Sequence, residues 1–183
     1  MFEVRATDLA GRVGRIKTRR GYIDTPCLLP VVHPIRQSIH PSILKGMGFQ
    51  AVMTNAYTTW RYHQRSGERL EIHELIGFDG VVMTDSGGYQ VLEYGGVEVE
   101  PVEMARFEEE IGSDIAIILD RPTGFRVGRR RAEETVRDTL KAAEETVKVR
   151  SRDVLWTGAI QGGRYLDLVE YSARELSKLG FEP

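Results

Sequence analysis

Residues 80–90, GVVMTDSGGYQ, join a short apolar run to a polar segment with two consecutive glycines. An apolar run of this length predicts a buried strand of a parallel sheet. The predicted strand ends on the carboxylate of Asp85, which we take as the candidate catalytic group. Five candidate binding residues follow it: Ser86, Gly87, Gly88, Tyr89 and Gln90.

The same alternation extends outward along the chain, because short apolar runs are separated by longer stretches with helical spacing. This pattern is typical of βα units with a parallel sheet. The predicted strands are 27–32, 51–55, 80–85, 115–120 and 155–161. The predicted helical stretches are 41–48, 58–77 (broken near Gly67), 100–112, 128–151 and 164–180.

Residues 1–26 alternate only modestly and contain Gly11, Gly14 and Gly21, which predicts short antiparallel strands broken by turns. We therefore expect one domain over residues 1–183, with an N-terminal strand layer (1–26) followed by βα units (27–183). Five such units are too few for a closed eight-stranded barrel. Either the sheet is open or another segment completes it.

The composition is that of an ordinary globular protein, with 183 residues, 41% apolar and 28% charged, and a net charge of −2. Any contact with nucleic acid must therefore come from local basic patches. The single cysteine, Cys27, excludes an internal disulfide and a multi-cysteine zinc site, and its apolar neighbours predict a buried thiol. With no run of transmembrane length and no signal-peptide core, we expect a cytoplasmic protein without a membrane partner.

Polar residues follow each predicted strand. The carboxyl ends of parallel strands share one edge, where such folds carry their chemistry. Each residue alone could equally be a turn former or a helix cap, but five together favour a shared site. They are His33, Asn55, Asp85, Asp120 and Gln161.

Two carboxylates at one edge, Asp85 and Asp120, suit a reaction through an oxocarbenium-like state. Asp120 can accept two hydrogen bonds at once from N1–H and the 2-amino group of guanine, a donor pair that adenine lacks. Tyr89 can stack on a planar base, and the Gln161 amide can both donate and accept. Glycines such as Gly162 let a flat ligand approach the backbone.

Taken together, five segments resemble the tRNA-guanine transglycosylase family, and in particular its archaeal, archaeosine-forming branch. Two features resemble that branch: the tyrosine, Tyr89, that follows the serine and two glycines, and the segment LPVVHP (29–34). Gly88 departs from it, because many archaeal members are expected to have serine there. The matching segments are 25–34, 48–57, 78–95, 111–123 and 158–168.

The resemblance implies a (β/α)8 barrel with N-terminal strands. It also implies exchange of a guanine in the D-loop of tRNA for 7-cyano-7-deazaguanine. It assigns catalysis to Asp85, as nucleophile or as general acid/base, and base reading to Asp120. It implies that the Tyr89 ring stacks on the base and that the Gln161 amide contacts the base. Ser86 and Gln90 belong to the same pocket motif.

The family's later motifs, a second aspartate and a zinc site of three cysteines and a histidine, have no counterpart in this sequence. We therefore expect no metal site in this chain and zinc in a C-terminal part. The chain then resembles the N-terminal part of the enzyme, either a natural split subunit or a truncated product, and needs a complementary chain or self-association. His33 and His40 precede prolines and are expected to shape loops, whereas His63 and His73 are expected on helix surfaces.

Two basic clusters stand out, at 15–20 and 126–131. In the second, Arg129, Arg130 and Arg131 are candidate contacts to tRNA phosphates. The alternative is a solvated helix start whose charges are balanced by Glu133 and Glu134.

Three functions remain open from the sequence. The first is the base-recognition part of a transglycosylase. The second is a non-catalytic subunit that binds tRNA or a partner transglycosylase. The third is an unrelated barrel enzyme acting on a sugar or phosphate ester. Such an enzyme would explain the two carboxylates, but not their combination with groups suited to bind guanine.

Overall fold

The structure is a computed structural model that describes residues 2–68, 71–90 and 99–181. The last residues of the 78–95 segment and two residues of the 58–77 helical stretch lie outside these ranges. Every candidate site residue lies within them.

The N-terminal layer is an antiparallel sheet of three strands in the order β1 (Phe2–Asp8), β2 (Gly11–Lys17) and β3 (Tyr22–Thr25). The antiparallel prediction is confirmed, but Gly14 lies inside β2 and does not break it. A Cβ on Gly14 would come within 2.6 Å of the Phe2 ring, so glycine is needed there for the strands to approach.

The βα prediction is confirmed by a parallel sheet in sequential order, β4 (Ala51–Asn55), β5 (Val81–Asp85), β6 (Ile115–Ile117) and β7 (Leu155–Thr157). The fold class is therefore α/β. The described helices are α1 (Pro41–Gly46), α2 (Ala56–Ser66), α3 (Ile72–Ile76), α4 (Pro101–Glu110), α5 (Arg129–Val147) and α6 (Leu166–Lys178). The predicted break near Gly67 separates α2 from α3, and Gly67 ends α2 in the left-handed conformation with φ 67°.

The predicted strand 27–32 was wrong over most of its length. Only its last residues join the sheet, through the bonds Met53 N–H to Pro30 O (2.9 Å) and Val32 N–H to Met53 O (2.8 Å). Prolines 26 and 30 lack the N–H groups that a full ladder requires. Cys27 is consequently exposed, which corrects the predicted buried thiol.

β6 and β7 are also shorter than predicted, and a few residues beyond each strand the backbone is bound by a helix side chain, Thr139 Oγ1 after β6 and Ser172 Oγ after β7. Arg121 N–H donates to Thr139 Oγ1 of α5 at 2.9 Å, so the chain beyond Leu119 turns toward that helix. This turn brings Asp120 and the residues after it to the edge of the sheet.

The antiparallel sheet covers the amino ends of the parallel strands. Ile23 of β3 is 1% exposed and packs against the first residues of the neighbouring strands, Ala51, Val81 and Ile115. Helices cover the sides, where Val52 and Val82 are fully buried. Burying such a side chain contributes about 1.5–3 kcal/mol. The carboxyl ends of the strands are left for the site.

His73 is buried, not on a helix surface as predicted. Its Nε2 lies 2.8 Å from Oδ2 of Asp114, which also accepts the Val82 N–H at 2.9 Å. Arg19 Nε donates to Oδ1 of the same carboxylate at 3.2 Å. The pair therefore ties the N-terminal layer to the bottom of the sheet, a contact between distant residues that helical spacing cannot reveal.

His33 and His40 do shape loops, as predicted. His33 Nδ1 accepts the backbone N–H groups of Ile35 and Arg36, and His40 caps the start of α1. In the described part of the chain, no helix has both the length and the apolar character needed to cross a membrane.

Candidate active site

The candidate site lies at the carboxyl edge of the parallel sheet, where β4 and β5 end side by side. Asn55 and Asp85 are Cα partners in the parallel register. Asp120 follows β6 by three residues and Gln161 follows β7 by four. Three of the five predicted edge residues, Asp85, Asp120 and Gln161, form one group, while His33 binds its own loop.

Asp85 is half-buried, and its Oδ1 accepts the backbone N–H of Gly87 at 3.2 Å. The strand behind it is held by Thr84, whose hydroxyl lies 2.7 Å from Oε1 of Glu108 on α4. Burial raises the pKa of Glu108 well above its ordinary value, and the charge of Asp85 raises it further. A fully buried carboxyl group with a raised pKa thus supports the end of β5, and neither the helical pattern nor the spacing predicted this role for Glu108.

The two glycines after Ser86 are required by close packing. Gly87 has φ 98°, and a Cβ there would lie 2.6 Å from the Cβ of Tyr57. A Cβ on Gly88 would lie 1.7 Å from Oδ1 of Asp120. The pair therefore lets the loop after β5 reach the Asp120 carboxylate, in addition to any room it leaves for a ligand.

Asp120 and Gln161 form the closest polar pair of the site. Gln161 Nε2 donates to Oδ2 of Asp120 at 2.5 Å. Burial, and then the charge of Asp85, raise the pKa of Asp120 to about 6, although the Gln161 bond opposes this rise. The negative charge of Asp85 is thus one of the two causes of the raised Asp120 pKa.

The loop after β6 is hydrogen-bonded to the segment QGG (residues 161–163), which follows β7. Thr123 N–H donates to Oε1 of Gln161 at 2.7 Å, and Gly162 N–H donates to Thr123 Oγ1 at 3.1 Å. Gly162 has φ 134°, and a Cβ there would come within 2.6 Å of the Val169 backbone N. Sequence reasoning missed Thr123, although its place three residues after Asp120 was a signal.

The remaining residues of the motif face different partners. The Ser86 hydroxyl is buried and donates to the Ile117 carbonyl at 2.6 Å, so it joins the loop to β6. Gln90 Oε1 accepts from Asn55 Nδ2 at 3.2 Å. The Tyr89 side chain is 62% exposed, which leaves its ring accessible for stacking.

The three candidate phosphate contacts lie at the start of α5, and each is near a carboxylate. Arg129 pairs with Glu133 and Asp167. Arg131 pairs with Glu134 at 3.2 Å. Arg130 is 95% exposed and lies 3.4 Å from the same Glu134. The predicted balancing by Glu133 and Glu134 is therefore present, and Arg130 is the most accessible of the three.

The arrangement combines a half-buried carboxylate, a second carboxylate whose pKa is raised to about 6, an amide and an exposed aromatic ring. Such a set can bind a planar base with adjacent donors and place a carboxylate beside it. Within the described ranges, no group of three or more His, Cys, Asp or Glu side chains is arranged to hold a metal ion.

Comparison with known proteins supplies the wider context. Residues 8–183 match the family model described as queuine tRNA-ribosyltransferase. The chain is 49% identical over 182 residues to the tRNA-guanine(15) transglycosylase of Aeropyrum pernix, covering 99% of this chain and 35% of that protein. The proteins of the same name from Pyrobaculum aerophilum and Methanothermobacter thermautotrophicus are 46% and 44% identical, over 98% and 100% of this chain. The chain spans 36% and 28% of those two proteins, about a third of the length of its relatives.

Proposed function

The chain belongs to the queuine tRNA-ribosyltransferase family, that is, the tRNA-guanine transglycosylases, and from this premise we propose that it supplies the base-recognition part of an enzyme that exchanges guanine in tRNA. The observation that carries the proposal is geometric: Asp85 ends β5 at the same edge of the sheet where Gln161 donates a hydrogen bond to Asp120. The site thus combines Asp85, the candidate catalytic carboxylate, with Asp120, a carboxylate suited to bind guanine.

Asp120 is the proposed reader of the base. In its ionised form the carboxylate accepts N1–H and the 2-amino group of guanine, and the Gln161 amide contacts the same base. Tyr89, whose ring is exposed, stacks on the face of the base. Adenine offers no matching pair of donors, so this carboxylate favours guanine.

Asp85 is the proposed catalytic group. Exchange breaks the bond between ribose C1′ and guanine N9 and forms the equivalent bond to the incoming base. The leaving guanine gains a proton at N9 and the incoming base loses one. A carboxylate beside C1′ stabilises the positive charge that develops on the sugar, either by direct attack or by electrostatic contact and proton transfer.

We further propose that the incoming base is 7-cyano-7-deazaguanine and that the target lies in the D-loop, as in archaeosine formation. The relatives' name, tRNA-guanine(15) transglycosylase, supports one defined guanine of tRNA as the target, whereas the choice of incoming base rests on the resemblance to the archaeal branch. Competition of unlabelled 7-cyano-7-deazaguanine against labelled guanine would test it. Absence of competition would reject this base.

The proposed function is tested by incorporation of labelled guanine into unmodified tRNA, with Asp85→Ala as the inactive control and Asp120→Ala as the binding control. We expect incorporation that Asp85→Ala abolishes, by this chain alone or together with a complementary chain. Guanine binding by calorimetry should be lost in Asp120→Ala and kept in Asp85→Ala. Equal guanine binding by the wild type and Asp120→Ala would contradict the assignment.

A complementary C-terminal chain, or a second copy of this one, is the proposed partner, and zinc is proposed to lie in the C-terminal part. The support is that, among the described residues, no strand pairs with the outer edge of β7, and that apolar side chains are exposed near both edges of the sheet, including Leu28 (71%), Val31 (78%) and Ile160 (55%). Sedimentation would test this proposal, since a cooperatively folded monomer would contradict it.

The alternative is a non-catalytic subunit that binds tRNA or a partner enzyme. It predicts tRNA binding without base exchange even after the complementary chain is added. The retained set of Asp85, Tyr89, Asp120 and Gln161 favours the catalytic role, because a binding subunit has no need of all four.

A further inference from the structure

Thr123 lies in the loop after β6 and holds two consecutive residues of the loop after β7. Its backbone N–H donates to Gln161 Oε1 at 2.7 Å, and its Oγ1 accepts the Gly162 N–H at 3.1 Å. Thr123 therefore holds both the side chain of Gln161 and the backbone of Gly162.

The direction of the hydroxyl bonds follows from counting protons. Thr123 Oγ1 and Thr135 Oγ1 are 2.6 Å apart, and the Thr135 hydroxyl donates to the Ala132 carbonyl at 2.9 Å. Each hydroxyl has one proton. Thr123 therefore donates to Thr135, and its lone pairs remain for Gly162. The loop is thus anchored to α5.

This anchoring decides which way the Gln161 amide faces. Because its oxygen is bound to the Thr123 N–H, its NH2 group faces Asp120, where Nε2 lies 2.5 Å from Oδ2. An unanchored glutamine could turn over and accept a proton from a neutral carboxyl group. The anchored amide presents only N–H donors to its surroundings.

We propose that Thr123 is a positioning residue for base recognition, which locks the Gln161 amide so that it donates to Asp120 and offers its other N–H to an acceptor atom of the purine. This inference rests on the function proposed above. The locked amide stabilises the ionised carboxylate, which is the form that accepts N1–H and the 2-amino group. It also gives no acceptor to a protonated Asp120.

The test is the titration of Asp120, followed by the ¹³C shift of its side-chain carboxyl in the folded chain. Thr123→Pro removes the N–H, so the amide can turn when Asp120 is protonated and stabilise the neutral form. We expect the Asp120 pKa to rise by about half a unit to one unit, the effect of one hydrogen bond. Thr123→Ser keeps both groups and should titrate like the wild type.

Other charged groups near Asp120 remain the same in all variants, so the shift reports on the amide. Asp85 acts from β5. The cavity of about 290 Å³ next to Asp120 is lined by four more charged side chains in addition to Arg121: Glu100, Asp138, Lys141 and Glu145.

An unchanged Asp120 titration in a folded Thr123→Pro variant would overturn the proposal. If that variant does not fold, Thr123→Val decides. It keeps the N–H, but without the Oγ1 bonds to Gly162 and Thr135 the loop no longer holds that N–H firmly against Gln161 Oε1. The Asp120 pKa should then rise by a smaller amount, and an unchanged value would again overturn the proposal. Guanine calorimetry on the wild type is a separate readout. Absence of guanine binding there would reject the proposed function without affecting the titration result.

Discussion

Gly88 and Asp120 are in such close contact that no side chain fits between them. A Cβ on Gly88 would lie 1.7 Å from Oδ1 of Asp120 and 3.3 Å from its carbonyl oxygen. The other carboxylate oxygen is bound by Gln161. The position of the Asp120 carboxylate therefore depends on the absence of a side chain at residue 88, where many archaeal members were expected to have serine.

Gly88→Ala should displace the Asp120 carboxylate and weaken guanine binding. We expect a loss of about tenfold to a hundredfold in affinity, because one misplaced bidentate contact costs about 1.5–3 kcal/mol. Calorimetry with guanine measures the change. Gly46→Ala is the matched control, since a Cβ on Gly46 meets nothing within 4 Å. Wild-type affinity in Gly88→Ala would show that Asp120 adapts without loss.

The raised pKa of Asp120 predicts a stability that depends on pH. Burial and the charge of Asp85 raise it from 3.8 to about 6. Between pH 4 and pH 6 the folded state keeps a proton that the unfolded state releases, so this group lowers stability as pH rises through that window. The full effect is roughly 3 kcal/mol.

Asp120→Asn removes this titration. We expect the variant to be more stable than the wild type above pH 6 and equal to it below pH 4, while guanine binding is lost. Urea unfolding at several pH values measures the difference, with Asp153→Asn on the exposed surface as control. Equal stability of the two proteins at pH 7 would contradict the raised pKa.

The sequence predicted the parallel sheet because its strands are apolar runs separated by helical spacing. Strands 51–55 and 80–85 were predicted to within one residue, since their ladders are continuous. Strand 27–32 was overextended, because its prolines remove ladder donors. The edge group Asp85, Asp120 and Gln161 was predicted from the rule that parallel strands end together.

What the sequence could not predict are contacts made after the strands end. The bonds of Thr123 to Gln161 and of Ser86 to the Ile117 carbonyl join residues 38 and 31 positions apart. The burial of Glu108 and His73 likewise depends on which helix face meets the sheet. The local sequence pattern predicts which residues belong to such a site. Tertiary packing decides which of their polar groups bind each other.

Arg130 is expected to contribute to tRNA binding more than its neighbours do. It is 95% exposed, whereas Arg129 pairs with both Glu133 and Asp167. Arg130→Ala should weaken tRNA binding by the assembled enzyme and reduce the slope of log affinity against log salt by about one. Arg129→Ala is the control and should change that slope less. An unchanged slope in the triple variant with Arg129, Arg130 and Arg131 neutralised would remove this surface from the tRNA interface.

Asp114 is expected to hold the N-terminal sheet to the parallel one. Its carboxylate is fully buried and contacts His73, the Val82 N–H and Arg19. Burial opposes ionisation, but these partners outweigh it and lower the pKa of Asp114. The stabilisation is therefore present above the unfolded pKa near 4 and is lost as pH falls through the lower folded value.

Asp114→Ala would leave the His73 and Arg19 side chains without their common partner. We expect a loss of about 3–5 kcal/mol in the free energy of unfolding, as for other broken buried pairs. Val82 loses its own acceptor and should exchange faster; apart from it, hydrogen exchange of β3 amides should accelerate more than that of β5 amides, because the carboxylate joins the two sheets. Asp24→Ala breaks an exposed pair with Arg15 and should have little effect. Equal exchange rates of β3 in wild type and Asp114→Ala would mean that Ile23 packing alone keeps the antiparallel sheet in place.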